Sequence, residues 1–270
     1  MTTDSRDGEF PRWWWETPER HASIGSTNTE ALADARPGRV VVADHQSAGH
    51  GRRGRSWSSP PGTGMAISAV LPGLPAAVLG WVPLAAGLAV VQALADSRWP
   101  VHAVLKWPND VLVEGGARPG KLCGVLTQVA PSGAVVVGAG VNVDHEEDQL
   151  PVPSATSWRL ARGGAPLPDQ AREVFLEDYL RHLAERHEQL AAGRVGAVRA
   201  AYLDRSATVG RTVVVHLPDG GTAGGRAVGL SPDGALVVEG AQGRTVHHAG
   251  DVEHVRPGLP VGQDPHGYPA

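Results

Sequence analysis

At 270 residues the chain is long enough for one large domain, or for a main domain with a small satellite. Hydrophobic residues at 41% and charged residues at 19% describe a globular chain, and a net charge of -4 removes any global pull toward nucleic acid, so a cationic site has to be local. The lone Cys123 excludes an intrachain disulfide, no signal peptide opens the sequence, and no run of about 18 apolar residues is evident, so the reading is a cytoplasmic protein without a membrane span.

Trp13, Trp14 and Trp15 sit beside the N-terminus and are expected to pin it to the core. A helix is predicted from Ser26 or Thr27 to Ala35, capped by a hydroxyl and stopped by Pro37-Gly38. Val40 to Ala43 follows as a buried strand, then a polar, glycine-studded loop from Asp44 to Pro60-Pro61, too long for a plain connection. Met65 to Leu71 is a strand and Leu79 to Ala95 a buried helix. Ala103 to Trp107, Val111 to Glu114, Leu122 to Val129 and Ala134 to Asn142 are strands whose short turns favour antiparallel pairing. A leucine stripe (Leu176, Leu180, Leu183, Leu190) marks a helix over Asp169 to Ala192. Thr208 to Val255, with Pro-Asp-Gly turns at Pro218 and Pro232, predicts a barrel of about five strands, and Gly258 to Ala270 a loose tail. The fold class is therefore α+β: a mixed, largely antiparallel sheet with flanking helices, plus a small C-terminal barrel. The implied division is an extension over 1–20, a catalytic domain over 21–205, the barrel over 206–258 and a tail over 259–270.

Two phosphate-binding patterns fail on context. Gly49, Gly51 and Gly54 satisfy G-x-G-x-x-G, but Arg55-Ser56-Trp57-Ser58-Ser59-Pro60 does not open a helix and no acidic residue lies about 20 positions on. Gly115 to Lys121 satisfies G-x-x-x-x-G-K, but Leu122 stands where a magnesium-binding hydroxyl is needed, and Pro119 removes a backbone donor. What remains is Arg52, Arg53 and Arg55 among glycines, where guanidinium forks can engage phosphate or carboxylate. To these the chain adds Lys106 and Asp110 around Trp107-Pro108-Asn109, and Lys121 eleven residues after Asp110. Taken singly, Asp110 reads as a turn cap and the lysines as surface charges.

Together, Ser26-Thr27-Asn28, Gln46, Gly49-His50-Gly51-Arg52-Arg53-Gly54-Arg55-Ser56-Trp57, Lys106-Trp107-Pro108-Asn109-Asp110, Lys121-Leu122-Cys123-Gly124 and Gly138-Ala139-Gly140-Val141-Asn142-Val143 resemble the biotin protein ligases, in order and spacing, from about residue 21 to 160. The resemblance implies the catalytic fold that these enzymes share with lipoyl ligases and class II aminoacyl-tRNA synthetases, with an SH3-like barrel behind it. It implies biotin held by Ser26, Thr27, Asn28, Gln46, His50, Gly51, Arg52 and Lys121. Arg52, Arg55, Trp57, Lys106, Asn109 and Asn142 fall on the nucleotide side, Asp110 on magnesium, and Lys121 and Arg52 in catalysis. The family has Arg where this chain has His50. ATP and Mg²⁺ are the implied cofactors and the biotin carboxyl carrier domain of an acyl-CoA or pyruvate carboxylase the implied partner, with the oligomeric state left open. Lipoate or octanoate ligation is the alternative within the same superfamily. A DNA-binding repressor is disfavoured because only about 20 residues precede the catalytic segment, too few for two helices and a turn. A non-catalytic, peptide-binding adaptor is the third reading.

Overall fold

A computed structural model describes residues 15–255; Trp13, Trp14 and the predicted tail lie outside the described residues. Trp15 donates its indole N–H to the Leu180 carbonyl at 3.0 Å, as the pinning role requires. β1 (Glu19–His21) has no apolar pattern of its own and exists by pairing in parallel with β2 (Val40–Ala43). Between them α1 (Thr27–Ala33) starts at Ser26, whose extended backbone and hydroxyl, 3.4 Å from the Thr29 amide, form the cap. The long polar loop contains a miniature hairpin, β3 (Gly49–His50) against β4 (Ser56–Trp57), closed by a single 3₁₀ turn over Arg52–Gly54. β5 (Gly64–Leu71) is buried along its whole length. A 3₁₀ segment, Ala76–Trp81, runs into α2 (Val82–Asp96), where Pro83 sits in the first turn and no intrahelical donor is lost. Then come β6 (Ala103–Lys106), β7 (Asp110–Val113), β8 (Gly120–Val129), β9 (Val135–Asn142), α3 (Trp158–Ala161), α4 (Gln170–Ala191) and α5 (Val195–Asp204). The C-terminal strands are β10 (Thr212–His216), β11 (Thr222–Leu230), β12 (Leu236–Gly240), β13 (Gly243–His247) and β14 (Asp251–His254).

The large sheet has the order β1-β2-β5-β9-β8-β7-β6, with every pair antiparallel except β1–β2, and the C-terminal strands form a second antiparallel sheet in the order β13-β12-β11-β10-β14. This is the α+β architecture read from the sequence. α2 and α4 cover one face of the large sheet. The other face is split: α1 covers Val41, Val70 and Val136, and beyond it the floor narrows to Ala66, Gly138, Gly140 and Gly124, with Ser68 fully buried beneath its edge. Strand alternation puts these small residues together, because Ser68 pairs with Gly138 and Ala66 with Gly140.

One apolar core is continuous from α2 and α4 into the second sheet, including Val213, Leu236 and Val252. The Trp81 and Trp107 indoles bridge the two, donating to the Pro232 and Gly234 carbonyls at 2.8 and 3.1 Å. Ala76–Asp96, against the expectation that no such run exists, is long and apolar enough to cross a membrane by length and composition. That window is 67% buried, because it is the central core helix, wedged between the sheet and α4.

Candidate active site

A cleft of about 670 Å³ opens over the small-residue floor. It is lined by Ser26, Thr27, Asn28, Gln46, His50, Gly51, Arg52, Arg55, Trp57, Asn109 and Lys121, so the structure brings eleven of the fourteen residues singled out in the sequence to one surface. The other three do not line it. Asp110 and Asn142 lie one contact behind, on Lys121, and Lys106 is buried in β6 across the ladder from Asp110.

The cleft runs across the sheet from a neutral polar end to a charged one. At the neutral end the Gln46 Oε1 accepts the Thr27 backbone N–H at 2.8 Å and lies 3.1 Å from the Thr27 hydroxyl. Asn28 is committed to the protein: its Nδ2 donates to Gln128 Oε1 (2.8 Å) and Leu126 O (3.3 Å), and its Oδ1 accepts from Ser68 at 2.6 Å. Its expected contact with biotin is therefore a matter of shape, since its hydrogen-bonding groups face inward. At the charged end Lys121 Nζ is 2.7 Å from Asp110 Oδ1 and 5.7 Å from the Trp57 ring centroid.

A bulge puts Lys121 there. β7 pairs Val111 with Cys123 and Leu112 with Lys121, leaving Leu122 as an extra residue in β8. Leu122 and Cys123 both enter the core, so Lys121 emerges on the same face as Gly124, whose hypothetical Cβ would stand 3.3 Å from Lys121 Nζ. Burial pushes the Cys123 thiol up to about 12, which makes it an inert core group. Asn142 then fastens the strand end, donating to Lys121 O (3.4 Å) and Thr156 O (3.0 Å), while its Oδ1 stays buried without a partner.

Trp57 lies flat on the sheet. A Cβ at Gly140 would stand 2.5 Å from its Cε2, and one at Gly124 3.2 Å from its Cζ3, so both positions need glycine for close approach. Gly49 is needed for the same reason, with Trp57 O at 2.3 Å.

The three arginines of the loop are tied to the second sheet. Arg53, in left-handed backbone at φ 57°, and Arg55 share the Asp251 carboxylate at 3.3 and 3.0 Å. Arg52 donates to Asn109 Oδ1 (3.1 Å) and Gly250 O (3.4 Å), and burial lowers its pKa without threatening its charge. Both rejected phosphate motifs stay rejected: Gly54 leads into β4, and Gly120 and Lys121 begin β8. Sequence reasoning missed Ser68, Gln128 and Asp251. Asp251 had a signal, as an acidic residue following His-His-Ala-Gly at a strand start; Ser68, inside an otherwise apolar strand, had almost none.

A neutral, hydrogen-bonding pocket joined to a lysine, an arginine and a carboxylate on an antiparallel sheet defines a class: enzymes that activate a carboxylic acid with a nucleotide. The Biotin/lipoate A/B protein ligase family model matches residues 21–144 and the Biotin protein ligase C terminal domain matches 208–255. A biotin--[acetyl-CoA-carboxylase] ligase of Mycobacterium tuberculosis is 37% identical over 251 residues, covering 90% of each chain. Another, of Paracoccus denitrificans, is 34% identical over 86% of this chain and 98% of its own. The biotin protein ligase of Aquifex aeolicus, solved in complex with biotin and ATP, superposes with a TM-score of 0.74 at 26% identity, covering 90% of this chain and 100% of that one. The chain belongs to the biotin protein ligase family.

Proposed function

We propose that the protein joins biotin to ATP as biotinyl-5′-adenylate and then passes the biotinyl group to a lysine of a carrier domain. The observation that carries this reading is a cleft with a neutral hydrogen-bonding end at Thr27 and Gln46 and a charged end at Arg52 and Lys121, with Asp110 directly behind Lys121. A biotin carboxylate oxygen attacks the α-phosphorus of ATP, the bond to the bridging oxygen breaks and pyrophosphate leaves. Both reactants are anions. Lys121 and Arg52, held on the cleft wall, offset their repulsion and the charge that builds in the transition state. Trp57 roofs the floor and excludes water from the mixed anhydride. In the second step the amine attacks the biotinyl carbonyl, the anhydride C–O bond breaks, AMP leaves and a proton is released.

Mg²⁺ fits as a partner of the nucleotide rather than of a protein cage: among the described residues no cluster of three or more His, Cys, Asp or Glu is poised for a metal, and a lone carboxylate such as Asp110, together with phosphates and water, meets its needs. When bound it would screen the phosphates. Asn109 and Arg55, on the cleft wall, would then border the nucleotide, Asn142 would act from behind by fastening the strand that carries Lys121, and Lys106 would act at longer range from β6. A carboxylase carrier is the acceptor suggested by the relatives' names, and the cytoplasm, where ATP and reduced thiols coexist, is the compartment that suits Cys123.

Incubation with ATP and either biotin or lipoate, followed by acid-dependent pyrophosphate exchange, tests the reading. Exchange is expected with biotin alone. Exchange with lipoate and none with biotin would overturn it.

A further inference from the structure

Beneath the neutral end of the cleft lies Ser68, 0% exposed and in contact with no part of the cavity surface. Its hydroxyl is 2.6 Å from Asn28 Oδ1 and 2.8 Å from Thr27 Oγ1. The direction of these bonds follows from what each partner can do. Asn28 Nδ2 faces the Leu126 carbonyl, which only accepts, so the amide is fixed with Oδ1 toward Ser68. Oδ1 also only accepts, so the single Ser68 proton goes there. Any other assignment leaves two oxygens 2.6 Å apart with no hydrogen between them. Ser68 Oγ is then an acceptor toward Thr27, and the Thr27 proton points down into the protein at 2.8 Å rather than toward Gln46 at 3.1 Å.

Thr27 Oγ1 consequently turns lone pairs to the cleft. Gln46 is oriented by the same logic: its Oε1 takes the Thr27 backbone N–H, which leaves Nε2, beside Gly49, as a donor with no hydrogen bond among the described residues. The end wall therefore offers one acceptor and one donor side by side. That pair fits a head group with an N–H next to a C=O, as in a cyclic urea, and offers nothing to a dithiolane.

We propose that Ser68 is a positioning residue that sets head-group selectivity, by fixing the Thr27 hydroxyl as an acceptor through the relay Thr27–Ser68–Asn28. The proposal rests on the biotin-activating reading above. With Ser68→Ala, the Thr27 hydroxyl loses the acceptor beneath it and its proton is free to move between Gln46 Oε1, 3.1 Å away, and the cleft, so the lone pairs offered to the ligand's N–H are no longer fixed.

The test measures pyrophosphate exchange and equilibrium biotin binding for wild type, Ser68→Ala, Thr27→Val and the double variant. Ser68→Ala is expected to raise KM for biotin and for desthiobiotin, which keeps the urea, by the same factor of roughly ten, with KM for ATP and kcat within about twofold of wild type. In the double variant the two penalties are expected to fall well short of adding, because Ser68 acts through Thr27. Ser68→Cys, which fills the site with a slightly larger group that donates weakly, is expected to be intermediate, and it carries the test if the alanine variant melts. Unchanged biotin affinity, an equal rise in KM for ATP, or full additivity with Thr27→Val overturns the proposal while leaving the functional reading intact. A wild-type protein with no biotin-dependent exchange overturns both.

Discussion

Lys121 faces an aspartate at 2.7 Å and a tryptophan ring at 5.7 Å, an arrangement that holds its ammonium at the cleft wall. In the proposed reaction this ammonium would offset the charge on the reacting carboxylate and phosphate, and no enzyme nucleophile is required. Replacing it by alanine leaves Asp110 uncompensated beside two anionic substrates. Lys121→Ala is expected to lower kcat for biotin-dependent pyrophosphate exchange by roughly 10²- to 10³-fold, whereas in a peptide-binding adaptor the change would leave function untouched. A variant that retains more than about a tenth of wild-type exchange is incompatible with the role given to Lys121.

Among the elements, the floor strands β5, β8 and β9 decide what the cleft can hold. Gly140→Ala needs no unusual backbone conformation, but its methyl would fall 2.5 Å from the Trp57 ring and lift it. Because Trp57 is only partly buried, the strain is relieved by moving the indole into the cleft, and KM for biotin is expected to rise roughly ten- to a hundredfold with little change in melting temperature. Calorimetry together with exchange kinetics separates this outcome from simple unfolding. The strands themselves announce their type in sequence through valine-rich runs and glycine-proline turns, and α2 and α4 through length and period. Other elements lie beyond such patterns. β1 is three polar residues that pair only because β2 presents a free edge, and α1 stops at Ala33, short of the predicted Ala35. The bulge at Leu122 is invisible to alternation, since strict period two would send Lys121 into the core. The motif residues of the cleft were found because their spacing is specific. Ser68 was passed over because a serine in Gly-Met-Ala-Ile-Ser-Ala-Val-Leu reads as one more small core residue, and its hydrogen bonds belong to residues 40 and 41 positions away.

For the whole molecule, the second sheet is no loose appendage. It shares the core, accepts two tryptophan N–H groups and holds the arginine loop through Asp251 and Gly250. Both Asp251 ion pairs are partly solvent-exposed, so Asp251→Ala is expected to cost the fold less than about 1 kcal/mol. The loop itself should open more often. Limited trypsin digestion, read by mass spectrometry, is expected to cut after Arg52, Arg53 or Arg55 about three to five times faster in the variant, because cleavage follows the open population. Equal rates would show that the loop is held by its own hairpin. The shared arginines also impose a thermodynamic reciprocity: whatever free energy the docked sheet lends to an ordered loop, a ligand that orders the loop must return to the docked sheet. A small molecule in the cleft should therefore raise the temperature at which the C-terminal strands melt, although none of its atoms needs to reach them.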